Sequence, residues 1–127
     1  MLKALHPVLA VPDVEAATAF YKTLGFTLAF QDDKEAPRYA AIQRDKLELH
    51  LQWADPSQWS YPTDRPAYRF LVADPDALYK EFQTSGAINP QSGDNSPWHK
   101  PADTPWGTRE FHLRDPGGNS LQFYKAL

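Results

Sequence analysis

The chain has 127 residues, enough for one domain with a proper core, and its make-up (42% hydrophobic, 23% charged) is ordinary for a folded protein. It has no cysteine, which excludes disulfides and thiolate metal sites. Its formal net charge of −3 argues against nucleic acid, which needs a basic partner surface. The N-terminal "MLKALHPVLAVPDVE" lacks the long apolar run of a signal peptide, and no later stretch could span a membrane, so a cytoplasmic location is expected.

In chain order, "LHPVLAV" (5–11) predicts a strand. Pro12 and Asp13 stop it, and Asp13 is placed to cap a following helix. Val14, Ala17, Phe20, Tyr21 and Leu24 recur at helical spacing, and Gly25 falls where a helix ends in a left-handed residue. "FTLAFQDD", "RYAAIQR" and "KLELHLQW" read as three strands, with a tight turn at Arg44–Asp45 between the last two. Residues 54–66, "ADPSQWSYPTDRP", read as a loop.

The pattern then repeats. "AYRFLVADPDALYKEFQTSGA" is again strand, aspartate, helix, glycine. Val11 and Val72, Asp13 and Asp74, Tyr21 and Phe82, and Gly25 and Gly86 all pair at an offset of 61. This predicts an internal duplication, with modules at about 1–60 and 61–127. Residues 89–107, "NPQSGDNSPWHKPADTPWG", hold four prolines and little periodicity, and are expected to be mostly loop. "TREFHLRD" and "NSLQFYK" are the final strands, joined by the turn-forming "DPGGN". Each half therefore reads as βαβββ, an α+β fold.

Strand alternation also predicts which side chains share a face. In "KLELHLQ", Leu47, Leu49 and Leu51 oppose Glu48, His50 and Gln52. In "TREFHLR", Glu110 and His112 oppose Phe111 and Leu113. A polar wall of Glu48, His50, Glu110, His112 and Gln122 is expected; Glu48 and His50 are read as residues with structural or ligand-contact roles in preference to acid–base work. His99 reads as a solvated surface residue.

"HPVLAVPDVEAATAFYKTLGF", "RDKLELHL" and "TPWGTREFHLRDPGGNSLQFY" resemble the glyoxalase / bleomycin resistance / extradiol dioxygenase superfamily, across nearly the whole chain. "QRDKLELH" and "TPWGTREF" look most like the bleomycin resistance branch. The resemblance implies two tandem βαβββ modules forming a curved mixed sheet around an open cup, and a homodimer. The superfamily's enzymes hold a divalent metal with His or Glu at four points. Carried onto this chain, those points fall on His6, on Glu48, on Ala67 (or Tyr68 if the register slips by one) and on Gln122. Two good ligands of four make a poor site, because a catalytic metal usually has three protein ligands. The expectation is no metal and no cofactor. If a metal binds, the expected ligands are His6, Glu48 and Gln122.

The aromatics are the better clue. Phe30 and Tyr39 lie on strands, Trp53, Trp59 and Tyr61 in or beside the central loop, and Trp98 and Trp106 in the second loop. Flat side chains suit stacking on planar ligand groups. Trp106–Gly107 resembles the loop that lies along the drug groove of bleomycin resistance proteins. The expected ligand-contacting set is Phe30, Asp32, Tyr39, Glu48, His50, Trp53, Trp59, Tyr61, Trp98, Trp106, Gly107, Glu110, His112 and Gln122. Asp32, Asp33, Asp55, Asp64, Asp94, Asp103 and Glu110 are candidate sources of negative potential for a cationic drug. The expected function is non-catalytic sequestration of a bulky, cationic, bleomycin-type antibiotic. The alternative is a metal-dependent lyase, isomerase or dioxygenase acting on a small molecule.

Overall fold

Two aspartates start the two helices. Asp13 and Asp74 sit in extended backbone, and their carboxylates accept from the amides of Ala16 (3.0 Å) and Ala77 (3.1 Å). Such caps are worth about 1 kcal/mol each. Gly25 (φ +85°) and Gly86 (φ +83°) lie beyond the two helix ends, in a region that other residues enter at a cost. The offset of 61 thus joins residues with the same local task.

The computed structural model describes residues 1–55, 57, 66–88 and 96–127. Its elements are β1 (Val8–Val11), α1 (Val14–Thr23), β2 (Thr27–Gln31), β3 (Tyr39–Arg44), β4 (Leu47–Trp53), β5 (Ala67–Leu71), α2 (Pro75–Thr84), β6 (Ala102–Asp103), β7 (Thr108–Arg114) and β8 (Ser120–Ala126). They form two compact units, residues 1–64 and 65–127. Each unit holds one helix and one four-stranded mixed sheet, in the orders β1-β4-β3-β2 and β5-β8-β7-β6. In both, the first strand runs parallel to the last and the remaining pairs are antiparallel. The α+β, two-module reading of the sequence holds.

Each sheet buries one face under its own helix. In the first unit, Leu9, Val11, Ile42, Leu49 and Leu51 are buried, as are Val14, Ala17, Tyr21 and Leu24 from the α1 segment. In the second unit, Phe111 and Phe123 stack at 5.0 Å, and Phe82 and Tyr79 of α2 meet their rings edge-on. Alternation then commits the opposite face of each sheet to polar side chains.

Two local expectations are corrected. The β3–β4 turn lies at Asp45–Lys46, both with positive φ (+50° and +67°), and not at Arg44–Asp45. The two-residue hairpin pairs Arg44 with Leu47, because a primed turn matches strand twist. That leaves Arg44 in the strand, where its Nη1 donates to the carbonyl of Leu24 at 2.6 Å. Second, the regular strand starts at Val8 and not Leu5, although the amide of His50 still donates to the carbonyl of Pro7 at 2.9 Å. The proline-rich stretch 89–107, expected to be mostly loop, carries one two-residue strand among its described residues, β6. Pro101 and Pro105 flank it, and lacking N–H groups they keep it to two residues.

Candidate functional site

In the first unit the polar face is built by register. β3 and β4 pair Ala41 with His50 and Gln43 with Glu48, while β1 sets Val8 opposite His50. Glu48 is the hub. Its Oε1 accepts from Gln43 Nε2 at 2.7 Å. Its Oε2 lies 2.9 Å from His50 Nε2 and 3.2 Å from His6 Nε2. The two imidazoles stack, with centroids 4.8 Å apart. The hydrogen bonds of His50 and then Gln43 hold the Glu48 carboxyl below its ordinary range, so it is ionised at neutral pH. A carboxylate only accepts, so His50 Nε2 carries the hydrogen. In the neutral ring Nδ1 then accepts from the Tyr39 hydroxyl, 2.6 Å away. Phe30 pairs with Ala41 on this face and is 55% exposed.

In the second unit the hub is Glu110, whose side chain is fully buried. Arg69 Nη2 donates to its Oε2 at 2.9 Å, Thr108 Oγ1 to the same oxygen at 2.9 Å, and His112 Nε2 lies 2.9 Å from Oε1. Burial pushes this carboxyl up. The bonds from Arg69, His112 and Thr108 outweigh it, and the net shift is downward. Arg69 also donates to Gln122 Oε1 at 2.6 Å, and its guanidinium lies over Tyr124 at 4.2 Å. Beside this network the Trp98 ring is tilted on Trp106 (5.1 Å) and on His112 (5.6 Å). The Trp98 carbonyl accepts from the His112 amide at 2.7 Å, which ties the loop to β7. Trp106 is 57% exposed, at a turn where Gly107 has φ +90°. Trp98 Nε1 is buried and has no hydrogen-bond partner among the described residues.

The expected polar wall therefore resolves into two networks, one per unit: Glu48 with His50, and Glu110 with His112 and Gln122. Trp98, Trp106 and Gly107 stand beside the second. Trp53 does not join the first. It has the parity of Leu49 and Leu51, off the face of His50, and the Arg38 guanidinium lies over its ring at 4.6 Å. Asp32 is a loop organiser: its Oδ1 accepts from the amides of Arg38 (2.9 Å) and Tyr39 (3.2 Å), the former chiefly lowering its pKa. Asp33 and Asp55 serve nearby turns in the same way, and Asp103 pairs with Arg109 at 3.0 Å. Glu110 is balanced by Arg69, so its charge is not free to attract a cation. His99 is exposed, as expected. Trp59, Tyr61, Asp64 and Asp94 lie outside the described residues.

The four-point metal set is half present. His6 and Glu48 converge. In the second unit Ala67 offers no donor atom and lies opposite Ser120, and the Gln122 amide oxygen is taken by Arg69. The two-unit ligand set of the superfamily's enzymes is therefore not reproduced by these residues. Sequence reasoning missed Gln43, Arg69 and Thr108. Thr108 was legible by parity, two residues before Glu110. Arg69 was not, because its role depends on the parallel register that sets it opposite Gln122.

The model of the Glyoxalase/Bleomycin resistance protein/Dioxygenase superfamily matches residues 3–123. A bleomycin resistance protein of Geobacillus stearothermophilus is 26% identical, with 100% of this chain and 98% of that protein covered. The solved bleomycin-binding protein of the bleomycin-producing Streptomyces verticillus, complexed with copper(II)-bleomycin, is 34% identical. It superposes with a TM-score of 0.68 over 97% of both chains. A bleomycin-binding protein complexed with bleomycin, 24% identical, has a TM-score of 0.75 over 99% of this chain and 100% of that one, a likeness of fold.

Proposed function

Because this chain belongs to the Glyoxalase/Bleomycin resistance protein/Dioxygenase superfamily, we propose that it binds and sequesters a bulky, cationic, aromatic drug of the bleomycin class. No bond is made or broken; resistance follows from keeping the drug off its target. The observation that carries this reading is the aromatic cluster of the second unit. Trp98, Trp106 and His112 form a connected set of rings with the outer tryptophan exposed. Each good aromatic pair with a planar ligand group adds about 0.5–1.5 kcal/mol beyond area burial. Full-length likeness to bleomycin resistance and bleomycin-binding proteins supports the drug class.

The ligand contacts we propose are Trp98, Trp106, Gly107, His112 and Gln122 in the second unit, and Phe30, Tyr39, Glu48 and His50 in the first. The working form is a homodimer. It acts inside the cell, and no described helix is long and apolar enough to cross a membrane. Titrating bleomycin while following tryptophan fluorescence tests the binding. Saturable change at micromolar drug is expected, and a flat response at those concentrations would refute the reading. Sedimentation velocity tests the dimer, and a single species at the monomer mass of 14.4 kDa would exclude it.

A further inference from the structure

The geometry points to a divalent-cation site contained in the first unit alone: we propose that His6 Nε2, Glu48 Oε2 and His50 Nε2 together hold a first-row transition metal of the zinc type. This goes beyond drug binding and does not depend on it.

Among the described residues these three form a group whose ligand atoms all lie within 4.8 Å of one another. Both imidazole nitrogens face one carboxylate oxygen, at 2.9 and 3.2 Å. Metal bonds of about 2.0–2.1 Å at tetrahedral angles put ligand atoms about 3.3 Å apart. The two nitrogen–oxygen edges, at 2.9 and 3.2 Å, are thus close to ligand spacing before any metal enters, and the nitrogen–nitrogen edge lies within 4.8 Å. Metal binding asks two further changes: the stacked rings of His6 and His50 must turn so that both Nε2 atoms aim at the ion, and the ring hydrogen of neutral His50 must sit on Nδ1, where the Tyr39 hydroxyl accepts it instead of donating.

The atoms behind the ligands are also fixed, as a metal site requires. His50 Nδ1 is held by Tyr39 Oη at 2.6 Å, which leaves Nε2 to point into the cluster. Glu48 Oε1 is held by Gln43 Nε2 at 2.7 Å, which leaves Oε2 free to bridge to the metal. Neither partner is needed to fold the strand pair, whose ladder is made by backbone. The three side chains are reachable from solvent, at 35%, 24% and 20% exposure for His6, Glu48 and His50.

Two imidazoles and one carboxylate suit zinc, copper(II) or nickel(II) better than magnesium or calcium, which prefer oxygen. Three protein ligands leave at least one position open. An oxygen or nitrogen donor of a small molecule fits it. His50 is the new element: it replaces the ligands that Ala67 and Gln122 do not provide.

The test is calorimetric titration of zinc chloride into tag-free, chelator-treated protein. One zinc per chain is expected. His6→Ala and His50→Ala should each weaken binding at least tenfold. Tyr39→Phe, which removes only the hydroxyl behind His50, should cost about 10–100-fold. His99→Ala, an exposed histidine outside the cluster, should change nothing. Circular dichroism checks each fold. If His50→Ala fails to fold, His6→Ala and Tyr39→Phe decide, since His6 precedes the first strand. No zinc uptake would overturn the proposal, as would uptake equal in wild type, His6→Ala and Tyr39→Phe. Bleomycin titration of the same zinc-free protein reads drug binding separately, so either proposal can fail alone.

Discussion

Replacing Arg69 with methionine isolates the buried carboxylate of the second unit. Glu110 keeps His112 and Thr108 but loses the two Arg69 contacts, at 2.9 and 3.5 Å. Removing one partner of a buried pair costs about 3–5 kcal/mol, because the remaining charge is uncompensated. Arg69 is 36% exposed, so water replaces part of what it supplied, and about 2–3 kcal/mol is expected. With a urea slope of about 1.5 kcal/mol/M, the unfolding midpoint should fall by about 1.3–2 M. Adding Glu110→Gln to Arg69→Met removes the stranded charge, and the double variant should recover much of the loss. A single-variant loss below about 0.5 kcal/mol, or a double variant no better than the single, would refute the claim that Arg69 neutralises Glu110.

Other consequences follow from the same structure. The carboxyl of Glu110 is lowered from 4.5 in the fold, so its contribution is complete above that value and is lost as pH falls through the depressed one. Acid unfolding of Glu110→Gln, followed by circular dichroism, should therefore show a shallower decline below about pH 4.5 than wild type. Asp76 is likewise lowered, chiefly by its hydrogen bond from Arg109 at 2.7 Å, but it is half exposed, so Asp76→Asn should cost no more than about 1 kcal/mol by urea titration. Gly25→Ala is expected to lose about 1–2 kcal/mol: φ is +85° and the new methyl would lie 2.7 Å from Arg44 Nη1, which must release the Leu24 carbonyl. Trp106→Ala should weaken bleomycin binding by at least about 1 kcal/mol, roughly fivefold, while the melting temperature stays within a few degrees, because the side chain is exposed.

The duplicated frame was legible because its signals are local. Asp13 and Asp74 each cap the next turn, and Gly25 and Gly86 each take a left-handed conformation, so four letters carry the repeat. The alternation of leucine with Glu48 and His50, and of Phe111 with Glu110 and His112, gave the polar faces for the same reason. What joins those faces was less visible. Tyr39 and Gln43 reach His50 and Glu48 only because the hairpin turns at Asp45–Lys46, and a turn one residue earlier would change every cross-strand partner. Arg69 sits in a short run that reads as an ordinary strand, and only the pairing of β5 with β8 brings it to Gln122 and Glu110. Trp53 was chosen for its type, and its parity puts it on the face of Leu49 and Leu51 and not with His50. Asp32 drew notice as a charge, but its oxygen is spent on the amides of its own loop.

Equilibrium dialysis of bleomycin against the protein, with mass analysis of the drug afterwards, tests non-catalytic sequestration most directly. The account predicts saturable retention on the protein side and recovery of drug with its mass unchanged. Absence of retention, or retained drug returning with an altered mass, would contradict it.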